Sequence, residues 1–270
     1  GIPFFSPDGT AVGFFARNTI WRAATDGGPP TQLRAASGMR GADWMDDDTI
    51  VYSEGLGSSI KRMSAAGSAL NPVTTLGTSD YAHVWPQSIP GTNQLLFTAW
   101  GGGDLEGAQI VDITTSATRA LSYGPNGAPA RWSVSGHLLF ENWSDGLFAA
   151  RFDPASNQSV SLGGARFMLG EVHHLGSSNR SVFALSDNGT FAYVPATQND
   201  RRLVRIQADG STTTILDQSA IDYASLSGSI AMSRDGRLAL IGNGGDIVLV
   251  DLERKLPRRL LGDGNDGGAA

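Results

Sequence analysis

Phe5-Ser6-Pro7-Asp8-Gly9 carries an apolar residue into a tight turn, and the fold follows from how often that phrase returns. It recurs as Trp44-Met45-Asp46-Asp47-Asp48, Ser88-Ile89-Pro90-Gly91-Thr92 and Trp132-Ser133-Val134-Ser135-Gly136, then as Leu185-Ser186-Asp187-Asn188-Gly189 and Met232-Ser233-Arg234-Asp235-Gly236. The last turn positions, 9, 48, 92, 136, 189 and 236, are separated by 39, 44, 44, 53 and 47 residues. A fixed period of this length marks a repeat architecture.

Each copy has the same interior. After the turn comes a β-favouring run, as in Phe14-Phe15, Ile50-Val51-Tyr52, Leu95-Leu96-Phe97, Leu138-Leu139-Phe140, Phe191-Ala192-Tyr193 and Leu238-Ala239-Leu240. A second run follows (Ile20-Trp21, Ile60 to Met63, Ile110-Val111, Leu147-Phe148, Leu203 to Ile206, Ile247 to Val250), then another turn and a short last strand such as Thr212 to Leu216. Four short strands joined by Gly, Asn and Asp turns make one antiparallel sheet. Alone, such a sheet leaves a face wet. Six arranged radially cover one another's faces, so the repeat predicts an all-β, six-bladed β-propeller with four antiparallel strands per blade. Its repeats span 1–38, 39–79, 80–126, 127–175, 176–225 and 226–261, with a flexible tail at 262–270. Phe5, Trp44, Trp132, Leu185 and Met232 fall just before the turn, where blade meets blade; the third copy has Ser88 there and Trp85 nearby. The first copy opens on its inner strand and the sixth is complete. No strand is left to interlock the ring, so side chains must hold the seam.

Composition agrees with this reading. Of 270 residues, 35 are Gly and 12 Pro, 40% are hydrophobic and only 17% charged, too apolar for disorder and too turn-rich for a helical bundle. A net charge of −6 without long like-charge runs argues against nucleic acid or an anionic membrane as partner. The absence of cysteine removes disulfides, thiol catalysis and cysteine-ligated zinc. No apolar run approaches a membrane span. The chain opens on Gly1 with no signal-peptide pattern, as expected of a mature domain or an excised fragment.

The phrases Phe4-Phe5-Ser6-Pro7-Asp8-Gly9, Gly13-Phe14-Phe15-Ala16 and Gly27-Gly28-Pro29-Pro30 resemble the TolB-like propellers with Ser-Pro-Asp-Gly, WD40-like repeats. Arg40-Gly41-Ala42-Asp43-Trp44, His83-Val84-Trp85-Pro86, Asn188 to Pro195 and Asp235 to Leu240 extend the likeness along the chain. Within that group they look most like the extracytoplasmic propeller that follows the kinase and membrane segments of many bacterial serine/threonine kinases. The resemblance implies a periplasmic or extracellular sensor or interaction module, part of a membrane-anchored protein, without catalysis of its own. Neither the kinase motifs nor the Gly-x-Ser-x-Gly elbow of the hydrolases that carry such propellers occurs in the chain.

The residues with chemistry to offer are few. His83, His137, His173 and His174 lack the spacing of a zinc site, and His173 and His174 point opposite ways on an extended chain. Gly262 to Gly267 spells Gly-x-Gly-x-x-Gly without the following helix that a nucleotide needs. Asp46-Asp47-Asp48 could hold calcium but sits where a hairpin turn favours Asp. Sequons at Asn142, Asn157, Asn179 and Asn188 carry little weight in a bacterial-looking chain.

A surface remains. The connections between blades, near 34–40, 77–83, 123–128, 170–180 and 218–228, cross one face toward the central channel. They carry Arg34, Arg40, Asp80, Tyr81, His83, Tyr123, His173, His174, Arg180 and Tyr223, the candidate ligand- or partner-binding residues. More Arg and His than carboxylate there favours an anionic or carbonyl-rich partner over a divalent cation. The expectation is therefore a monomeric, non-catalytic propeller that binds a protein, peptide or small ligand at this mouth, without a cofactor beyond a structural Ca2+ or other ion in the channel. The alternatives are a metal-dependent hydrolase or lactonase with a cation in the channel, and a structural gate or spacer for an attached enzyme domain.

Overall fold

The computed structural model describes residues 2–69, 71–101, 107–121, 129–142, 146–156, 164–170, 172, 174–175, 180–194, 202–207, 210–217, 229–243 and 246–261. At 142, 174–175, 180–181, 243, 246 and 261 it describes the backbone alone. The expected tail at 262–270 lies outside the described residues. No α-helix occurs among them.

Every sheet is built from strands consecutive in sequence. Blade 1 comprises β1 (Pro3–Phe5), β2 (Ala11–Ala16), β3 (Thr19–Ala24) and β4 (Thr31–Ala35). Blade 2 comprises β5 (Met39–Trp44), β6 (Thr49–Glu54) and β7 (Ile60–Ser64). Its outer edge is an irregular segment, tied to β7 by a Met63–Ala69 bridge and by the Val73 N–H donating to the Ile60 carbonyl. Blade 3 comprises β8 (Asp80–Ser88), β9 (Gln94–Gly101), β10 (Gly107–Asp112) and β11 (Thr118–Ala120). Blade 4 comprises β12 (Ala130–Ser133), β13 (His137–Asn142), β14 (Gly146–Arg151) and β15 (Arg166–Leu169). The short pair β16 (His174–Leu175) and β17 (Arg180–Ser181) follows. Blade 5 comprises β18 (Phe183–Leu185), β19 (Phe191–Tyr193), β20 (Leu203–Ile206) and β21 (Thr212–Leu216). Blade 6 comprises β22 (Ser229–Met232), β23 (Leu238–Asn243), β24 (Asp246–Asp251) and β25 (Leu256–Leu261). All pairings are antiparallel, and the architecture is the expected six-bladed β-propeller.

The recurring turn explains why the blades form. In blade 1 the buried Ser6 hydroxyl donates to Asp8 Oδ1 (2.7 Å) and accepts from the Ala11 N–H (2.9 Å). Ser186 repeats this with Asn188 Oδ1 (2.6 Å) and the Thr190 N–H, and Ser233 with Asp235 Oδ1 (2.6 Å) and the Leu238 N–H. One serine thus satisfies a buried backbone donor at the first hairpin while the acidic or amide residue two positions on orients it. Gly236 shows how tightly successive turns pack: at φ +69 a Cβ there would lie 2.6 Å from Asn188 Oδ1.

The chain divides into two compact units, residues 1–35 with 182–270, and 36–181. The first contains the seam between the ends of the chain. There β1 pairs with β2 and stands at the edge of its own sheet, so no strand is exchanged with blade 6. Instead Phe5, Val12, Phe14, Ala16 and Ala23 of blade 1 share one apolar cluster with Leu240, Ile247 and Leu249 of blade 6. The Arg258 guanidinium donates to the Thr25 carbonyl across the same seam. Blades 5 and 6 are joined by the Asp187 N–H donating to the Arg234 carbonyl (3.0 Å) and by an Arg234–Asp187 ion pair (3.7 Å).

In the second unit, Met45, Val51, Ile60 and Val73 of blade 2 interleave with Leu95, Phe97, Ala99 and Val111 of blade 3. Ile89, Leu96, Ala108, Ile110 and Leu121 of blade 3 meet Ala130, Leu138, Phe140, Ala150 and Phe152 of blade 4.

Because the seam rests on side chains, Phe14→Ala should cost about 3–5 kcal/mol in urea unfolding, the price of emptying a fully buried aromatic site. A loss under about 1 kcal/mol would mean that something other than packing holds blades 1 and 6 together.

Candidate functional site

The inner strands of the second unit carry an unusual set of side chains. Asp43 on β5, Gln87 on β8 and Arg131 on β12 occupy one position of the repeat, each immediately before the pre-turn residue. The other three copies place Phe4, Ala184 and Ala231 there. Polar groups at a position otherwise apolar need partners, and two of the three find them in the next blade. Both the backbone N–H and the hydroxyl of Ser88 donate to Asp43 Oδ2, each at 2.6 Å. The Gln87 amide closes a two-way bridge with Trp132, accepting from its N–H (2.8 Å) and donating to its carbonyl (3.0 Å). Side chains here do what ladder bonds do within a sheet: they fix the inner edges of neighbouring blades against each other.

Arg131 is different. Its guanidinium makes no hydrogen bond or ion pair among the described residues, although it lies within electrostatic reach of Asp43. Burial lowers its pKa from the ordinary arginine value and Asp43 raises it, leaving a cation at neutral pH. Burial likewise pushes the Asp43 carboxyl above the usual carboxylate range, against the opposing bonds from Ser88 and the charge of Arg131. Each of the two keeps part of its surface open to solvent. The result is a carboxyl group primed to exchange a proton, facing a cation whose donors are unspent.

The residues singled out from the connecting loops are placed as follows. Arg34 lies in β4, half-buried, in the first unit. Tyr123, His173 and Tyr223 fall outside the described residues, and for His174 and Arg180 only the backbones in β16 and β17 are described. Arg40 stands near the start of β5, and Asp80, Tyr81 and His83 stand near the start of β8. Tyr81 is exposed, and the Arg40 guanidinium sits 5.0 Å above the Trp100 ring.

His83 is only 4% exposed, and both of its ring nitrogens are engaged. Nδ1 meets the Thr74 hydroxyl (2.8 Å), which accepts from the Ile60 N–H (2.9 Å), and Nε2 meets Asp80 Oδ2 (3.0 Å). The ring also lies 4.8 Å from Phe97. The network resembles a hydrolytic triad in composition, but its hydroxyl and imidazole are buried and spent on locking blade 2 to blade 3.

The Asp46–Asp48 run is likewise used up. Asp46 accepts from the Gly91 N–H, Asp47 from the Thr49 N–H and Arg62, and Asp48 from Trp44 Nε1. Three carboxylates turned to three separate partners do not form a calcium site.

No family model matches the sequence, and no curated protein does. Solved structures match across nearly the whole chain. An oligogalacturonate lyase in complex with manganese aligns with a TM-score of 0.57 at 13% identity, over 98% of this chain and 77% of the lyase. A gluconolactonase from Xanthomonas campestris aligns at 0.67 and 11%, over 93% and 85%. A TolB-type protein from Agrobacterium tumefaciens aligns at 0.60 and 17%, over 87% and 86%. The likeness shows the fold.

It also corrects one expectation. The chain was expected to be non-catalytic because no catalytic motif could be read from it, yet proteins of this same architecture include a lyase and lactonases. Asp43 and Arg131, two repeats apart in sequence, come within electrostatic reach only through folding, so the absence of a contiguous motif does not decide against catalysis.

The lyase with manganese raises the question of a metal in this chain. Among the described residues no three His, Asp or Glu side chains gather. The Asp43 Oδ2 already accepts two bonds, and the charge of Arg131 opposes a cation nearby. The described residues do not fit a divalent ion.

One consequence concerns pH. Burial lowers the His83 pKa below its ordinary 6.5, with Asp80 opposing. A folded pKa below the unfolded one contributes stability that is full above the unfolded value and lost as pH falls through the folded one. The thermal midpoint should therefore drop between about pH 7 and about pH 5, and His83→Gln should flatten that drop while lowering the midpoint at neutral pH. Parallel pH profiles for the two proteins would show that His83 does not titrate on unfolding.

Proposed function

We propose that this chain is a hydrolase of lactone or ester bonds in carboxylated sugars, with Asp43 as general base and Arg131 as the cation that holds the reacting oxygen. The observation that carries the reading is the Arg131 guanidinium, without a hydrogen bond among the described residues, within electrostatic reach of a carboxyl whose pKa burial has raised. A base tuned upward toward working pH removes a proton from water more effectively, and a fixed cation stabilises the charge that develops.

The chemistry balances without a further reactant. Asp43 takes a proton from water as the water oxygen bonds to the carbonyl carbon. The carbonyl oxygen becomes an oxyanion held by Arg131. Collapse breaks the carbon–oxygen bond to the leaving group, which recovers its proton from Asp43; the new carboxylic acid gives its remaining proton to solvent, and Arg131 retains the carboxylate. Both Ser88 bonds converge on Oδ2, so the other oxygen of Asp43 is spared for the proton. Gln87 fixes the Trp132 backbone, and with it the strand position from which Arg131 projects. The gluconolactonase and lyase neighbours, whose names specify a sugar lactone and an oligogalacturonate, support the substrate class.

With an aldonolactone as substrate, Arg131→Gln should lower kcat/KM by about 10²–10³-fold, the usual loss when an oxyanion donor is removed. Asp43→Asn should lose at least as much in kcat, with circular dichroism reporting an intact fold. Because the described donors do not fit a metal, the rate should survive exhaustive chelation. Loss of activity with chelator, restored by a divalent cation, would sink the metal-free mechanism, and undiminished turnover in Arg131→Gln would sink the site.

A further inference from the structure

A second cation stands on the same side of β5 as Asp43, and an irregularity in the strand puts it there. Residues three apart on a regular strand point to opposite faces, so Arg40 and Asp43 should diverge. The pairing of β5 with β6 slips between Met39, opposite Glu54, and Ala42, opposite Tyr52, so that three steps along β5 span two along β6. The extra residue turns Arg40 back to the face that Asp43 uses. The contacts agree, since Arg40 reaches Trp100 and Asp43 reaches Ser88, both in blade 3.

Blade 3 has a matching slip in β8, where Val84 faces Thr98 and Gln87 faces Leu96. Trp85 sits in that slip at φ +52, a conformation that costs a bulky residue about 1–2 kcal/mol and persists only where surroundings impose it. The imposing surface is Gly41. A Cβ on Gly41 would lie 2.7 Å from Trp85 Cα, so the two irregular strands touch backbone to backbone at this point. Their close approach delivers Trp85 to 6.2 Å from Trp100 and leaves the other aromatic contact of Trp100 to Arg40.

Stacked on an indole, the Arg40 guanidinium keeps its in-plane donors free: it makes no hydrogen bond or ion pair among the described residues and is half-buried. A planar, pre-oriented fork of this kind suits a carboxylate held by two parallel bonds. On β8, Tyr81 precedes Ala82, which pairs with Trp100; its ring is 65% exposed, and the Gly57 N–H donates to its carbonyl (2.7 Å), anchoring the tyrosine to the β6–β7 turn. An exposed ring on the strand that pairs with Trp100 offers a sugar a flat apolar face, and Arg40 offers a charge partner.

We propose that Arg40, seated on Trp100, is a second carboxylate-binding point of the Asp43–Arg131 site, and that the substrate is a short linear chain of sugar acids rather than a single one. This rests on the reading of Asp43 and Arg131 as the reacting end. Three steps of β5 that span two of β6 put Arg40 about 7 Å along the strand from Asp43, and a single sugar acid, with one carboxylate, cannot engage both Arg40 and Arg131.

The test is calorimetric titration of the whole chain with galacturonic acid and its linear dimer and trimer, with neutral galactotriose alongside. The trimer should bind at least tenfold more tightly than the monomer, and galactotriose should not share that gain. In Arg40→Gln the trimer-to-monomer ratio should collapse toward one, and Trp100→Phe, which keeps an aromatic seat, should retain part of it. Arg131→Gln should weaken monomer and trimer alike. A wild-type trimer no tighter than the monomer, or an undiminished ratio in Arg40→Gln, overturns the second point and leaves the reacting end standing. Unchanged monomer affinity in Arg131→Gln overturns the reading of that end. If Arg40→Gln fails to fold, the Trp100→Phe ratio and the wild-type length series decide the matter.

Discussion

A four-stranded sheet has two faces, and in this protein both must be kept from water by other sheets. That requirement organises everything else. Val51, Ile60, Leu95, Phe97 and Ala99 are buried between blades 2 and 3, and Leu96, Leu138 and Phe140 between blades 3 and 4. The same rule closes the join between the two ends of the chain, where Phe14 and Leu240 pack without any shared strand. At about 25 cal/mol per Å2 of apolar surface removed from water, such interfaces dominate the favourable side of folding. The hydrogen bonds between blades add position more than energy.

Position is what the site needs. Packing of flat apolar faces leaves neighbouring blades free to slide by small amounts, and Ser88 on Asp43 and Gln87 on Trp132 remove that freedom at the inner edge. One consequence is chemical. A carboxyl group recruited to fix a strand sits where burial raises its pKa, and the last polar member of the series, Arg131, has its charge but no hydrogen bond or ion pair among the described residues. Structural and chemical roles thus fall on the same repeat position. At the opposite end of β5, Gly41 plays a comparable part: having no Cβ, it lets Trp85 close in and so carries the aromatic seat of Arg40.

Much of this was legible before folding. The period of the turn phrase located the six blades but not the short β16–β17 pair, because a hairpin with Asp-Gly chemistry and alternating apolar residues can be satisfied locally. The Asp46–Asp48 run was correctly assigned to a turn, since Asp tolerates the left-handed φ of 58° that Asp48 adopts. His83 was harder. Its neighbours Asp80 and Tyr81 read as an inter-blade connection but open β8, and nothing in the local sequence says that Thr74 and Phe97 will enclose the ring. Asp43, Gln87 and Arg131 did leave a signal: three polar residues 44 positions apart, where the other copies hold Phe4, Ala184 and Ala231. It becomes visible only when the copies are superposed residue by residue.

The sequence by itself determined the number of blades, the order of strands within each, and the absence of an exchanged strand at the join, because each of these depends on turn chemistry and periodicity within a single repeat. Tertiary structure alone decided which polar side chains are spent and which are free. That depends on contacts between residues a whole repeat apart, and on two strand irregularities, at Arg40-Gly41 and at Trp85, that exist only because neighbouring blades press against each other there.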